Sequence, residues 1–316
     1  MNRRELLQRT AAFGLVGAAP FSFPTVPVNH AEGAQSENDG TSNLSGSEVH
    51  PLKPPAQGSI PVAFVISEGA VVIDFCGPWE VFQDVYVPER SGNAFRLYTV
   101  GPSSKPVHAS SGMQILPDYT FENAPVPKVI VIPAQNGSNR AMLDWIRKSA
   151  PVADVTMSVC TGAFVLAETG LLSGKAATTH HGAYKTLAVQ FPDIRVRRGA
   201  RFVDEGNVAT AGGLSSGIDL ALHVVERYFG RGVASQTASQ MEYQGQGWLD
   251  PASNQVYAKA PISTDDHPLC PVCDMDADKT APKSVYQGKT YYFCMPEHKA
   301  VFDKAPEKYL QTAQAQ

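Results

Sequence analysis

The sequence predicts an α/β protein: a parallel sheet with helices on both faces, followed by a small C-terminal domain stapled by a metal ion. Three observations carry this. Between about residues 60 and 247, short apolar runs alternate with amphipathic ones, the order of strand and helix in a doubly covered sheet. The short runs are apolar throughout, as in strands buried on both faces. The final stretch is dense in Tyr, Cys, Pro and Lys and too small to hold a large core without a staple.

The elements follow in order. "PVAFVI" is expected as a buried strand, and "DFCGPWEVFQDVY" as a turn leading into a helix that starts near Pro78. "AFRLYTVG" and "KVIVIPA" are the second and third strands, "RAMLDWIRKSA" a helix, and "VTMSV" a fourth strand running into Cys160. The helix "GAFVLAETGLL", the short strands "AATT" and "ARFVDEGNVATAG", and the helix "GIDLALHVVERYFG" complete the domain.

The 316 residues are 43% hydrophobic, and 26 basic against 30 acidic side chains give a net charge of −4. With no basic stripe, nucleic-acid binding has no electrostatic support. Arg3-Arg4 precede an apolar stretch from about Ala11 to Phe23 that is too short and too broken by Gly and Pro for a stable membrane span. Residues 1–34 are read as an export signal resembling the twin-arginine type, which would place the protein in the periplasm; a retained amphipathic helix is the alternative. The polar, Ser/Gly/Pro-rich residues 35–58 are read as a disordered linker. Residues 59–248 form the α/β domain, 249–265 a second linker, and 266–312 the metal-binding domain.

"SVCTG" places Cys160 on the turn between a buried strand and a helix. Ligands of parallel α/β sheets bind outside the carboxyl ends of the strands, so a thiol there points into the crevice. The amides of Thr161 and Gly162 open the following helix, where they would favour a thiolate and hold an anion developing on a substrate. Gly162 suits a bend that a side chain would crowd. A buried, inert cysteine is the other reading. Asp74, before Gly-Pro, suits an N-cap and equally an acid acting on a substrate.

"SVCTGAFVLAETGLLSGKAATTH", "FVISEGAVVIDFCGPWEVFQ" and "TAGGLSSGIDLALHVVERYFG" together resemble the ThiJ/PfpI superfamily, with its class I glutamine amidotransferase-like, flavodoxin-like fold, and within it the isonitrile hydratase branch. The sensor halves of certain AraC-type regulators share these motifs, but no helix-turn-helix segment is expected after residue 245. The resemblance implies Cys160 as nucleophile, Thr161 as the residue after it, and Asp74 as the acid that works with the thiol. A thiolate would add to the terminal carbon of an isonitrile, a small-molecule substrate, and the carboxyl group would protonate that carbon and then activate water. Gly162, Gln135 and His180 are the expected oxyanion and substrate-binding residues, and a homodimer is expected. Relatives usually carry two glycines where this chain has Ala134-Gln135, a backbone with less conformational freedom. Cys76 is read as a packing residue, with redox pairing to Cys160 as the alternative.

In the tail, Cys270 and Cys273 are spaced C-x-x-C, and Cys294 and His298 are spaced C-x-x-x-H, a set able to close a tetrahedral shell. Zinc suits such a shell and Cu(I) suits its sulfur; a Cys270–Cys273 disulfide is the alternative. "CPVCDM", "VYQGKTYYFC" and "FDKAPEKY" resemble a YHS domain, which implies heavy-metal handling, copper first. The function expected is an exported isonitrile hydratase carrying a copper- or zinc-binding module; the alternative is a non-catalytic periplasmic ligand- or metal-binding protein.

Overall fold

The apolar runs come together as one twisted layer in the structure, a computed structural model that describes residues 50–310. Its strands are β1 (Ile60–Val65), β2 (Phe95–Gly101), β3 (Tyr119–Thr120), β4 (Val129–Ile132), β5 (Val155–Val159), β6 (Phe202–Asp204) and β7 (Val208–Ala211). They lie in the order β6-β7-β5-β4-β1-β2-β3. Every pair is parallel except β6 with β7, which are antiparallel. The mixed α/β architecture with helices on both faces is the one the sequence predicts.

Alternation along each strand sorts side chains to two cores. Val62 and Phe64 join Val129, Val131, Val155 and Met157 on one face. That face is covered by α1 (Val72–Asp84), α5 (Ser216–Phe229) and α6 (Arg231–Gln240). Ala63 and Val65 join Ile130 and Ile132 on the other. Here α2 (Arg140–Ser149) supplies Met142, Trp145 and Ile146, α3 (Gly162–Glu168) supplies Ala163 and Leu166, and α4 (Tyr184–Gln190) supplies Leu187. Each fully buried Val, Ile or Phe contributes about 1.5–3 kcal/mol, so both faces hold the layer.

Two details depart from expectation. The first helix begins at Val72 rather than near Pro78, which lies inside it. The segment read as a disordered linker is ordered from His50 on: the Leu52 amide donates to the Arg227 carbonyl at 2.7 Å, and Arg227 Nε donates to the His50 carbonyl at 2.8 Å. Arg227 is held in turn by Asp204, which also accepts from His223 at 2.9 Å. These charges pull the Asp204 carboxyl below its ordinary range despite burial. The expected export signal and the rest of that linker lie outside the described residues. Among the described residues, no helix is long and apolar enough to cross a membrane.

The tail builds a hairpin, β8 (Lys283–Tyr286) and β9 (Lys289–Tyr292), then α7 (Pro296–Lys304) and α8 (Pro306–Leu310). The two-residue turn Gln287-Gly288 has φ of 48° and 78°, the left-handed pair of a type I′ hairpin. Phe293, Phe302 and Tyr309 pack with Tyr286 and Tyr291 as its small core.

Candidate functional site

The chain leaves β1 for β2 and β3 on one side, then builds β4, β5 and β7 on the other, so the strand order reverses between β1 and β4. Loops diverge at such a reversal and leave a crevice at the carboxyl ends. The segment after β1 carries Asp74, the one after β4 carries Ala134 and Gln135, and β5 ends on Cys160.

Cys160 has φ of 58°, the left-handed region, strained for a residue with a Cβ. Its amide donates to the Gly212 carbonyl at 2.9 Å, and its carbonyl accepts the Thr179 hydroxyl at 2.8 Å. These bonds hold the bend. The amides of Thr161 and Leu214 and the Thr161 hydroxyl reach the sulfur and favour the thiolate. Burial and the nearby Asp74 charge oppose them and prevail, pushing the thiol up to about 11. The expected lowering of this pKa is therefore reversed: at 8% exposure, desolvation outweighs the three donors. Gly162 is required where it stands, because a Cβ would collide with the Ile132 carbonyl and lie 2.8 Å from that of Pro133.

Asp74 lies in the first turn of α1 with no exposed surface, and its side chain turns inward rather than capping the helix. The Ala134 amide donates to Oδ2 at 3.0 Å. Oδ1 has no hydrogen-bond partner among the described residues. Burial pushes this carboxyl up to about 7, against the opposing pull of the Ala134 amide.

Ala134 is thus committed to α1: its amide goes to Asp74, and its carbonyl accepts the Val71 amide at 2.8 Å. It adopts no positive φ, so the missing glycine costs the backbone nothing here. Gln135 serves as a clasp. Its Oε1 accepts the Ser67 hydroxyl at 2.6 Å, joining the loops after β1 and β4. His180 turns Nδ1 to the Gly182 amide at 3.2 Å and lays its ring on Gly213, where a Cβ would come within 2.5 Å of Cδ2. Burial and His181 lower its pKa, so the ring is a neutral wall. Cys76 is a half-buried free thiol packed on the first core.

Beside the elbow lies a cavity of about 180 Å³, lined by His180, His181, Gly213 and Leu214 together with Asn254 and Tyr257. Sequence reading missed Leu214, Asn254 and Tyr257. The glycine pair before Leu214 was a usable signal; the other two sit in a polar stretch that reads as a linker.

In the tail the ligand atoms of Cys270, Cys273, Cys294 and His298 lie within 4.8 Å of one another. Cys273 and Cys294 sulfurs are 3.5 Å apart, and His298 Nδ1 is 3.2 Å from Cys294 and 3.6 Å from Cys270. A tetrahedral shell with metal–sulfur bonds of about 2.3 Å has sulfur–sulfur edges near 3.8 Å, so the donors fit one ion. All five cysteines are free, so the tail thiols are not bridged. The hydrogen bond between them draws the Cys270 thiol down and pushes Cys273 up. A cleft of about 590 Å³ beside Cys270 and Asp274 gives an ion an approach.

The turn joining Cys270 and Cys273 rests on α4. Thr186 donates to the Val272 carbonyl at 3.1 Å, and Lys185 pairs with Asp274 at 3.1 Å. Met275 lies on Gly182, next to His180 and His181.

Comparison with known proteins agrees with this geometry. Residues 61–227 match the DJ-1/PfpI family and residues 270–313 the YHS domain. The chain is 35% identical over 190 residues to an isonitrile hydratase of Pseudomonas putida, covering 58% of this chain and 79% of that protein. It is 25% identical over 154 residues to the HTH-type transcriptional regulator GbdR of Pseudomonas aeruginosa, but spans only 42% of that protein, and 48% of this chain is covered. Among solved structures, a ThiJ/PfpI family protein from Pseudomonas syringae superposes with a TM-score of 0.54 at 27% identity, covering 61% of this chain and 79% of that one.

Proposed function

The chain belongs to the DJ-1/PfpI family, and on that premise we propose that it hydrates isonitriles to N-substituted formamides through Cys160 and Asp74. The observation that carries this reading is a pair: a thiol on a strained strand–helix bend, and a fully buried carboxyl whose charge it feels. The likeness to an isonitrile hydratase over most of that enzyme's length supports the choice of reaction.

The residues perform it in balanced steps. The Asp74 carboxylate takes the sulfur proton as Cys160 Sγ bonds to the terminal isonitrile carbon, then gives that proton to the same carbon, leaving a thioimidate. Asp74, again a carboxylate, takes a proton from water as its oxygen bonds to the carbon and passes it to nitrogen. The carbon–sulfur bond then breaks, the hydroxyl proton returns to sulfur, and the formamide leaves. A carboxyl near 7 suits both directions of transfer at neutral pH. The Leu214 and Thr161 amides stabilise the sulfur while it carries charge.

Trapping tests this reading. Brief exposure to an aliphatic isonitrile above neutral pH, where Asp74 is the carboxylate that both steps need, followed by acid quenching within the first turnover, is expected to add the isonitrile mass to the Cys160 peptide. An unmodified Cys160 peptide in a protein that retains its fold would reject the reading.

One observation favours the alternative, a non-catalytic ligand- or metal-binding protein: burial keeps the Cys160 thiol protonated. In either case Cys270, Cys273, Cys294 and His298 are proposed to hold one copper or zinc ion, whose chemistry there is to staple the tail. Export through the Arg3-Arg4 segment and dimer formation belong to the same proposal; cell fractionation and sedimentation test them.

A further inference from the structure

We propose that the cavity beside the elbow binds a neutral, single-ring aromatic group, and that Asn254 and Tyr257 select it. These residues lie beyond the matched family region 61–227. The inference rests on the reading above only in assigning the ring to the nitrogen substituent of the substrate.

The wall is fixed in place. The Arg201 amide donates to the Pro251 carbonyl at 2.7 Å, Arg198 Nε to the Ala258 carbonyl at 3.3 Å, and Arg201 Nη1 to Asn254 Oδ1 at 3.4 Å. Ala258 presses on Gly199, whose φ of 73° and lack of a Cβ permit the approach. The stretch read as a linker is thus docked at residues 251–258.

Shape and chemistry then narrow the ligand. Tyr257 stacks on His181 with centroids 4.2 Å apart and planes within 9°, and His181 lies 4.2 Å from His180. Three rings in a ladder present faces and edges that pair with another ring. Arg201 brings no free charge, since Asp219 Oδ2 lies 2.6 Å from both Nε and Nη2. Burial lowers the pKa of both imidazoles, with His181 adding to the effect at His180 and Arg198 at His181. Asn254 turns Oδ1 to Arg201 and lays Nδ2 against Gly212, leaving the amide donor for a ligand acceptor. A volume of about 180 Å³ is below the ~300–1,000 Å³ of drug-sized sites and takes one ring rather than a fused pair. Leu214 lines the cavity and its amide reaches the Cys160 sulfur, which places the cavity next to the elbow.

Calorimetry on the full-length protein decides it, with N-phenylformamide and N-butylformamide as probes. N-phenylformamide is expected to bind about ten-fold more tightly, as one aromatic pair is worth ~0.5–1.5 kcal/mol. Tyr257→Ala is expected to bring the two within about two-fold, while Tyr257→Phe keeps the preference. Equal affinities in the wild type, no binding of either probe, or a preference untouched by Tyr257→Ala would overturn the inference. Because binding is read without turnover, a protein that binds the ring but leaves isonitriles unchanged separates this inference from the reaction.

Discussion

The Ala134 amide donates to Asp74 Oδ2 at 3.0 Å, and that single bond ties the acid of α1 to the loop after β4. It stabilises the carboxylate, yet burial is the larger effect and raises the pKa to about 7. The same bond occupies the Ala134 amide, and the amides that reach the Cys160 sulfur are those of Thr161 and Leu214.

Stability carries the mark of that burial. A carboxyl raised from 3.8 to about 7 binds its proton more tightly in the folded state. Its contribution is full below pH ~4 and lost as pH rises through 7. Asp74→Asn is therefore expected to stabilise the protein at pH 8 by on the order of 3 kcal/mol relative to pH 4. Urea midpoints across this range check it. A wild type whose pH dependence between 4 and 7 survives the substitution would contradict it.

Turnover should follow the same group with the opposite sign. The base form of Asp74 and the thiol form of Cys160 are needed, so kcat/KM is expected to rise through pH 7, hold, and fall only as Cys160 ionises near 11. Asp74→Asn should abolish the rising limb and lower the rate by about 10²–10⁴. A rising limb that survives the substitution would assign it to another group.

Gly162→Ala tests the seat of the elbow. The added methyl meets the carbonyls of Pro133 and of Ile132, the latter fixed at the end of β4 by its pairing with β5. A destabilisation of about 1–3 kcal/mol is expected in thermal melts, with loss of Cys160 reactivity. A variant as stable and reactive as the wild type would show that α3 is not seated as described.

The tail should bind one ion per chain. Removing Cys273 or His298 takes away a quarter of the shell and is expected to abolish stoichiometric metal by mass spectrometric analysis, with rapid proteolysis of the hairpin β8–β9. Asp274→Asn leaves the ligands in place but loses the pairing with Lys185. Faster hydrogen exchange is expected in 269–276 and in α4, with metal content unchanged. Unchanged exchange would show that this contact does not dock the tail.

The sheet and the elbow were legible because strand burial writes itself as apolar runs, and Cys160 stands where one such run meets a helix. The clustering of Cys270, Cys273, Cys294 and His298 was legible from their spacing. The start of α1 was not: Gly77-Pro78 reads as a breaker, yet Gly77 lies against Ile218 and Pro78 near Gly217, and this packing carries the helix through. The thiol pKa also escaped, since amides at a turn are visible in sequence while the depth of burial is not. Residues 251–258 read as a linker because they dock through main-chain carbonyls, the Asn254 side-chain amide and a single stacked ring, none of which leaves a hydrophobic pattern.

The most direct measurement is product formation from an aliphatic isonitrile in isotopically heavy water, comparing the wild type with Cys160→Ala. The expected result is an N-substituted formamide carrying the heavy oxygen in its formyl group, formed by the wild type and absent from the variant. Formamide formed equally by both, or by neither while both remain folded, would contradict the assignment of Cys160 as the nucleophile of a hydration reaction.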